Sequence, residues 1–219
     1  FGFLYDHRRR IFSIGYRLAD AEGPARLDTS FYDLLASEAR LASFVSIAKG
    51  DVPQHHWFHL GRLVTNVHGR ATLMSWGGTM FEYMMPQLLL RAYPGTLLEQ
   101  SCRASVRRQI EYGSERSVPW GISESAYAAT DRLGNYQYKA FGVPGLGLKR
   151  GLADDLVVSP YSTMLAGLID PGAAASDLAR LTRKGLDGRF GFYESIDCRP
   201  RSRAADDEST TRGAEAEVV

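Results

Sequence analysis

The chain has 219 residues, 44% hydrophobic and 23% charged, an ordinary soluble balance that can bury one sizeable core. Its formal charge is +1, with 26 basic against 25 acidic residues, which excludes a long-range field for nucleic acid or an anionic membrane and suits an uncharged substrate. Two distant cysteines, Cys102 and Cys198, form no CxxC or framework spacing, and no apolar run reaches the ~20 residues of a membrane span. The first residue is Phe1 and no signal segment opens the sequence, which reads as a piece of a longer polypeptide.

In chain order, residues 1–18 place apolar and aromatic residues on both sides of Asp6-His7-Arg8-Arg9-Arg10, predicting a hairpin with a polar turn. Residues 19–28 read as a loop. Ser30 and Asp33 resemble a capping box, and Phe31, Leu34, Leu35, Leu41, Ala42 and Val45 recur at helical spacing, predicting a helix over 30–48. Thr79 and Glu82 form a second capping box before a segment that Pro86 must kink or reset, and 96–116 is a third helix. The Gly-, Pro- and aromatic-rich stretch 118–156 is loop chemistry of the kind that carries function. Short helices follow over 160–168 and 171–184, the second with Pro near its start and Gly185 just after its end. Helices thus outnumber strands. Residues 199–219 lose all apolar periodicity and are expected to be a disordered tail behind a domain spanning 1–198.

Several carboxylates stand out. Glu38 occupies the apolar stripe of the first helix, so either Arg40 or Arg62 pairs with it or it lines a cavity. Glu124 is flanked by Trp120 and Tyr127, whose apolar walls would raise its pKa as a glycosidic acid requires; capping a short helix at Ser123 would also explain it. Glu82 is explained by its capping box and otherwise positions substrate. Asp6 and Glu194 are weaker candidates. His55 and His59 have the i, i+4 spacing of a zinc helix without its glutamate, so no metal is expected. Gly145-Leu146-Gly147-Leu148-Lys149-Arg150-Gly151 reads as a tight structural turn rather than a phosphate loop, and no GxSxG, Cys–His or Walker pattern is present. No cofactor is expected.

The motifs SWGGTMFEYMMP (75–86), RRQIEYGSERSVPWGISESAY (107–127), YQYKAFGVPGLGLKRGL (136–152) and FGFYESID (190–197) resemble the glycoamylase-like domain of cyclic β-1,2-glucan synthases, as do the opening FGFLYDHRRRIFSIGYRL and the run SFYDLLASEARLASFVSIAKGDVP. The resemblance covers about residues 1–197. It implies a mainly α fold, part of an (α/α)6 toroid with a short N-terminal β-hairpin, incomplete here because family members continue into further helices where this chain turns polar. It implies transglycosylation: cleavage within a linear β-1,2-glucan and rejoining of the new end to the chain's own far end. Family glutamates carry over onto Glu124, as general acid/base, and Glu38, as nucleophile or its assistant. The expected substrate-binding residues are Glu82, Trp76, Trp120, Tyr127 and Tyr136. The expected partners are β-1,2-glucan and the glycosyltransferase and phosphorylase-like regions of a larger synthase at the cytoplasmic side of the bacterial inner membrane, with no nucleic acid. Two readings remain beside cyclisation: a β-1,2-glucan hydrolase, and a non-catalytic glucan-binding fragment.

Overall fold

The computed structural model describes residues 1–19, 21, 23–199 and 217–219. Tyr5 pairs with Phe12 across the polar turn at residues 7–10, and a third strand, Phe31–Tyr32, adds to the same antiparallel sheet through Phe12↔Tyr32. That third strand is why no helix spans 30–48: residues 31 and 32 spend their backbone groups on Ile11–Ser13, and α1 begins only at Arg40, running to Ala48. Within 19–28, Arg26–Leu27 pairs with Tyr16–Arg17.

The histidine cluster forms one helical turn, α2 (His56–His59). His56 is fully buried: its Nδ1–H donates to the Arg10 carbonyl at 2.8 Å, and its Nε2 meets Ser43 Oγ at 2.9 Å. A hairpin of Val64–Val67 and Arg70–Leu73 then leads into α3 (Met80–Met84), which Pro86 closes into a 3-10 turn over Met85–Leu88. The longest helix, α4 (Leu97–Glu115), starts at the Thr96 cap and buries Cys102, Ser105, Val106, Gln109 and Tyr112 at three- and four-residue spacing. Past it, α5 (Pro160–Ala166) and α6 (Pro171–Arg183) each open on proline, and the Asp170 side chain caps α6 by accepting from the Ala173 N–H at 2.9 Å.

The expectation of a mainly α toroid is overturned. Among the described residues six α-helices share the chain with fourteen strands gathered in six small antiparallel sheets, and no ring of paired helices forms. The stretch 118–156, expected as loop, contains the hairpin of Glu124–Thr130 with Tyr136–Ala140. The physical reason is composition. Glycines and β-branched or aromatic residues between the helices satisfy backbone groups by short cross-strand pairing where a helix would be costly.

Of the expected disordered tail at 199–219, residues 200–216 lie outside the described residues; Glu217–Val218 pairs with Ile196–Asp197. The core runs through Leu73, Met80, Tyr83, Phe141, Val157 and Leu181, all essentially inaccessible. No helix among the described residues is long and apolar enough to cross a membrane.

Candidate active site

The floor of the site is a seam between two glycine-rich loops. Ser75 donates its N–H to Leu146 O at 3.0 Å, Val143 to Gly78 O at 3.1 Å, and Lys149 to Trp76 O at 2.9 Å. The backbones touch directly. A Cβ on Gly142 would collide with the Gly77 carbonyl oxygen, and Gly78, at φ +69°, lies against Gly147 N and Val143 O. The GLGLKRG run is therefore a structural turn whose tight geometry serves to dock the SWGG loop.

That docking sets the entry to α3. Thr79, extended at ψ 152°, caps the helix by accepting from the Glu82 N–H at 3.1 Å. The Glu82 carboxylate reaches back to accept from Thr79 N–H at 2.9 Å, Gly77 N–H at 2.8 Å and Ser75 Oγ at 2.9 Å. Three protein donors and 6% exposure fix Glu82 as a held charge, with little left over for proton transfer.

Glu124 is placed from three sides. Gln109 of α4 donates to Ile122 O at 2.8 Å and accepts from Ile122 N–H at 2.6 Å; Met80 N–H of α3 also donates to Ile122 O, at 3.1 Å. Ser123 accepts from Phe81 N–H at 3.0 Å, so it serves α3 and starts no helix of its own. Tyr161 of α5 donates to Glu124 O at 2.8 Å. Glu124 itself is the first residue of its strand, opposite Ala140, rather than part of a loop or a helical first turn.

Glu38 lies in the turn before α1, where Ser37 Oγ donates to its carboxylate at 3.2 Å. Neither arginine considered from sequence pairs with it. Arg62 donates to Leu60 O at 2.6 Å and Trp57 O at 2.9 Å, and Arg40 to backbone carbonyls on either side of the site. Glu38 instead lines a cavity of about 400 Å³ together with Trp76, Glu82, Glu124 and Lys149.

The electrostatics follow from this crowding. Burial pushes the Glu38 carboxyl above its ordinary range and the Glu82 charge adds to it, while its own backbone N–H, Ser37 and Arg40 pull back. Glu124 is likewise raised, first by burial, then by the charges of Glu38 and Glu82, against a hydrogen bond from Tyr138. Tyr32 is raised by burial and by both Glu38 and Glu124, a sign that its phenol stands near the pair.

The structure thus brings together Glu38, Glu82, Glu124 and Trp76, whose indole is 51% exposed and donates to Asp33 Oδ1 at 2.6 Å. It does not bring Trp120, Tyr127 or Tyr136 into the cavity. Trp120 is 4% exposed within the core, its N–H directed to Asp177. Tyr127 packs edge-on to Phe141 at 5.5 Å beneath Arg199, and Tyr136 stands out on the hairpin. Sequence reasoning missed Lys149, Tyr138 and Tyr32. Period-two pairing from Glu124 across the hairpin would have flagged Tyr138. Among the described residues no three His, Cys, Asp or Glu side chains converge on a metal-binding arrangement.

A family model named Glycoamylase, described as "Putative glucoamylase", matches residues 30–211. The chain belongs to this Glycoamylase family. The Glycoamylase chain is also 47% identical over 200 residues, 91% of its length, to the cyclic beta-(1,2)-glucan synthase NdvB of Rhizobium meliloti (strain 1021), of which it spans 7%. Among solved structures it superposes on the endo-beta-1,2-glucanase of Talaromyces funiculosus in complex with sophorose at a TM-score of 0.70 and 14% identity. That match covers 90% of this chain and 44% of the glucanase. A mutant of the same glucanase with beta-1,2-glucan superposes equally, at 0.70, over 89% and 43%. This likeness carries the fold and no more.

Proposed function

We propose that this Glycoamylase chain acts on linear β-1,2-glucan as a glycosidase-type enzyme and that its reaction is transglycosylation, closing the chain on itself to a cyclic β-1,2-glucan. The observation that carries this reading is the shared cavity of Glu38 and Glu124, in which burial and neighbouring carboxylates push both carboxyls above their ordinary range. A glycosidase needs one carboxylic acid and one carboxylate. The similarity to a cyclic beta-(1,2)-glucan synthase supports the substrate class.

In this mechanism Glu124 gives its proton to the glycosidic oxygen as that bond breaks, and the Glu38 carboxylate attacks the anomeric carbon to form a glycosyl ester, assisted by Ser37. Glu124, now ionised, takes the proton of the hydroxyl at the glucan's own far end. That oxygen displaces Glu38 and forms the ring-closing bond, so no water is consumed. Glu82 holds the electrostatic setting, and Trp76 offers a half-exposed indole face to a sugar beside the carboxylates. In its natural setting the linear glucan would come from a glycosyltransferase region of a larger synthase at the cytoplasmic side of the inner membrane, which also carries a phosphorylase-like region.

Incubating the chain with linear β-1,2-glucan and weighing the products by mass spectrometry tests this. Rings, lighter by one water than linear chains of equal length, support transglycosylation. Shortened linear chains would mean hydrolysis, and unchanged substrate that still binds would mean a glucan-binding module.

A further inference from the structure

We propose that the open face of the hairpin formed by Glu124–Thr130 and Tyr136–Ala140 is a rail that leads a β-linked glucan away from the carboxylate cavity, with Tyr138 as its first contact and Tyr136 as its second. The inference rests on the glucan reading above and adds an extended binding surface to it.

The pairing Glu124↔Ala140 and Ala126↔Tyr138 puts Glu124, Ala126, Tyr138 and Tyr136 on one face of the ribbon, because side chains alternate along a strand. The other face is spent on the body of the protein: Tyr127 packs on Phe141, and Lys139 Nζ meets Asp155 at 2.5 Å. The Glu124 face is left to solvent, with Tyr138 65% and Tyr136 52% exposed.

Continuity with the cavity decides what this face takes. Glu124 and Ala140, its first cross-strand pair, line the cavity wall. One pair further along, Tyr138 stands close enough to Glu124 for each side chain to bear on the other's titration. Tyr136 follows two residues on, roughly 6.6 Å along the strand, a step of the order of one sugar unit. At the rim, the Glu194 carboxylate accepts from Ala126 N–H at 3.4 Å and is placed to accept from sugar hydroxyls. Positions 124, 126, 136, 138 and 140 hold no cationic side chain, so the face does not suit an anionic ligand. Flat rings with hydroxyl edges beside carboxylates match the C–H faces and hydroxyl rims of a pyranose chain.

The test is the affinity of the wild-type chain and of Tyr136→Ala, Tyr138→Ala and Tyr138→Phe for a ladder of linear β-1,2-gluco-oligosaccharides, from a trisaccharide upward, measured by titration calorimetry. Wild type is expected to bind longer members more tightly. Tyr136→Ala and Tyr138→Ala should weaken the long members by roughly two- to tenfold, the range of one aromatic contact, and flatten the length dependence. Tyr138→Phe, which keeps the ring, should retain it. Unchanged melting temperatures establish that each variant is folded. A length dependence identical in wild type and Tyr136→Ala overturns the rail and leaves the enzyme reading standing, whereas wild type that binds no β-1,2-glucan of any length overturns both.

Discussion

Arg40 Nη1 donates to the carbonyl oxygen of Glu82 at 2.7 Å, so a buried cation of α1 grips the backbone of the residue that holds the site's fixed charge. The same guanidinium donates to Ser37 O at 2.8 Å and Tyr83 O at 2.5 Å, joining the turn that bears Glu38 to α3. Replacing it by Arg40→Met leaves these carbonyls without their charged donor and should cost about 3 kcal/mol of stability. Urea unfolding at neutral pH measures the loss; a change within experimental error would refute the clamp.

Glu124→Gln keeps the shape of the side chain and removes its proton chemistry. Turnover of linear β-1,2-glucan should fall by roughly 10²–10⁴-fold while glucan affinity is retained. Initial rates and calorimetry on the same preparation separate the two effects, and wild-type turnover would reject Glu124 as acid/base.

Glu82 raises both Glu38 and Glu124 through its charge. A raised acid keeps its proton to higher pH, so the alkaline limb of the rate profile follows the group whose proton is needed. Glu82→Gln removes the negative charge, lowers both neighbours toward the ordinary carboxylate range and should move that limb to lower pH. A limb that stays in place would show that the Glu82 field does not reach the reacting pair.

Away from the cavity, Asp177 is pushed up to about 6, chiefly by burial, against its Arg180 partner and the Trp120 N–H. Its folded value lies above the unfolded one, so the folded state binds the extra proton. Its stabilising contribution is present below about pH 4 and is lost as pH rises through about 6. Relative to Asp177→Asn, the wild type should therefore lose about 2–3 kcal/mol across that window. Paired denaturation curves at pH 4 and pH 7 measure the difference, and a constant gap would exclude the effect.

The reaction sets a distance. A covalent glycosyl intermediate requires the Glu38 and Glu124 carboxyl groups about 5–5.5 Å apart, whereas an inverting hydrolase leaves about 6.5–9.5 Å for a water. A crystal structure with bound β-1,2-glucan should show the shorter spacing. Groups well beyond both ranges would remove the two-glutamate mechanism.

Much of the site was legible because its signals are local. The Thr79–Glu82 capping box depends on residues three apart and forms as its spacing predicts, and the third helix begins beside Thr96 as read. The motifs ASEAR and GISES held the two carboxyls that line the cavity, although Glu38 sits in a turn and not on the helical stripe expected of it. What failed was non-local. Ser30 and Asp33 satisfied a helix-start rule, yet Phe31–Tyr32 found a waiting strand edge in Ile11–Ser13. Trp120, an apparent sugar platform in a Gly-, Pro- and aromatic-rich loop, is drawn into the core as Thr163 Oγ1 donates to its carbonyl and Asp177 accepts its backbone N–H. The toroid expectation came from resemblance, and the pairing of many two-residue strands, invisible to periodicity, replaced it.

The glycine seam between 75–78 and 142–147 also bears on how the protein is made. The loop carrying Trp76 and the entry to α3 stay unsupported until Leu146 and Gly147 have left the ribosome, more than sixty residues after Ser75. Until then the carboxylates at 38 and 82 stand on a nascent chain that lacks its dock, and long-range closure of this kind is slow. Synthesis must therefore pass Lys149 before the cavity exists, and a pause placed just upstream would hold back the site as a whole rather than one of its residues.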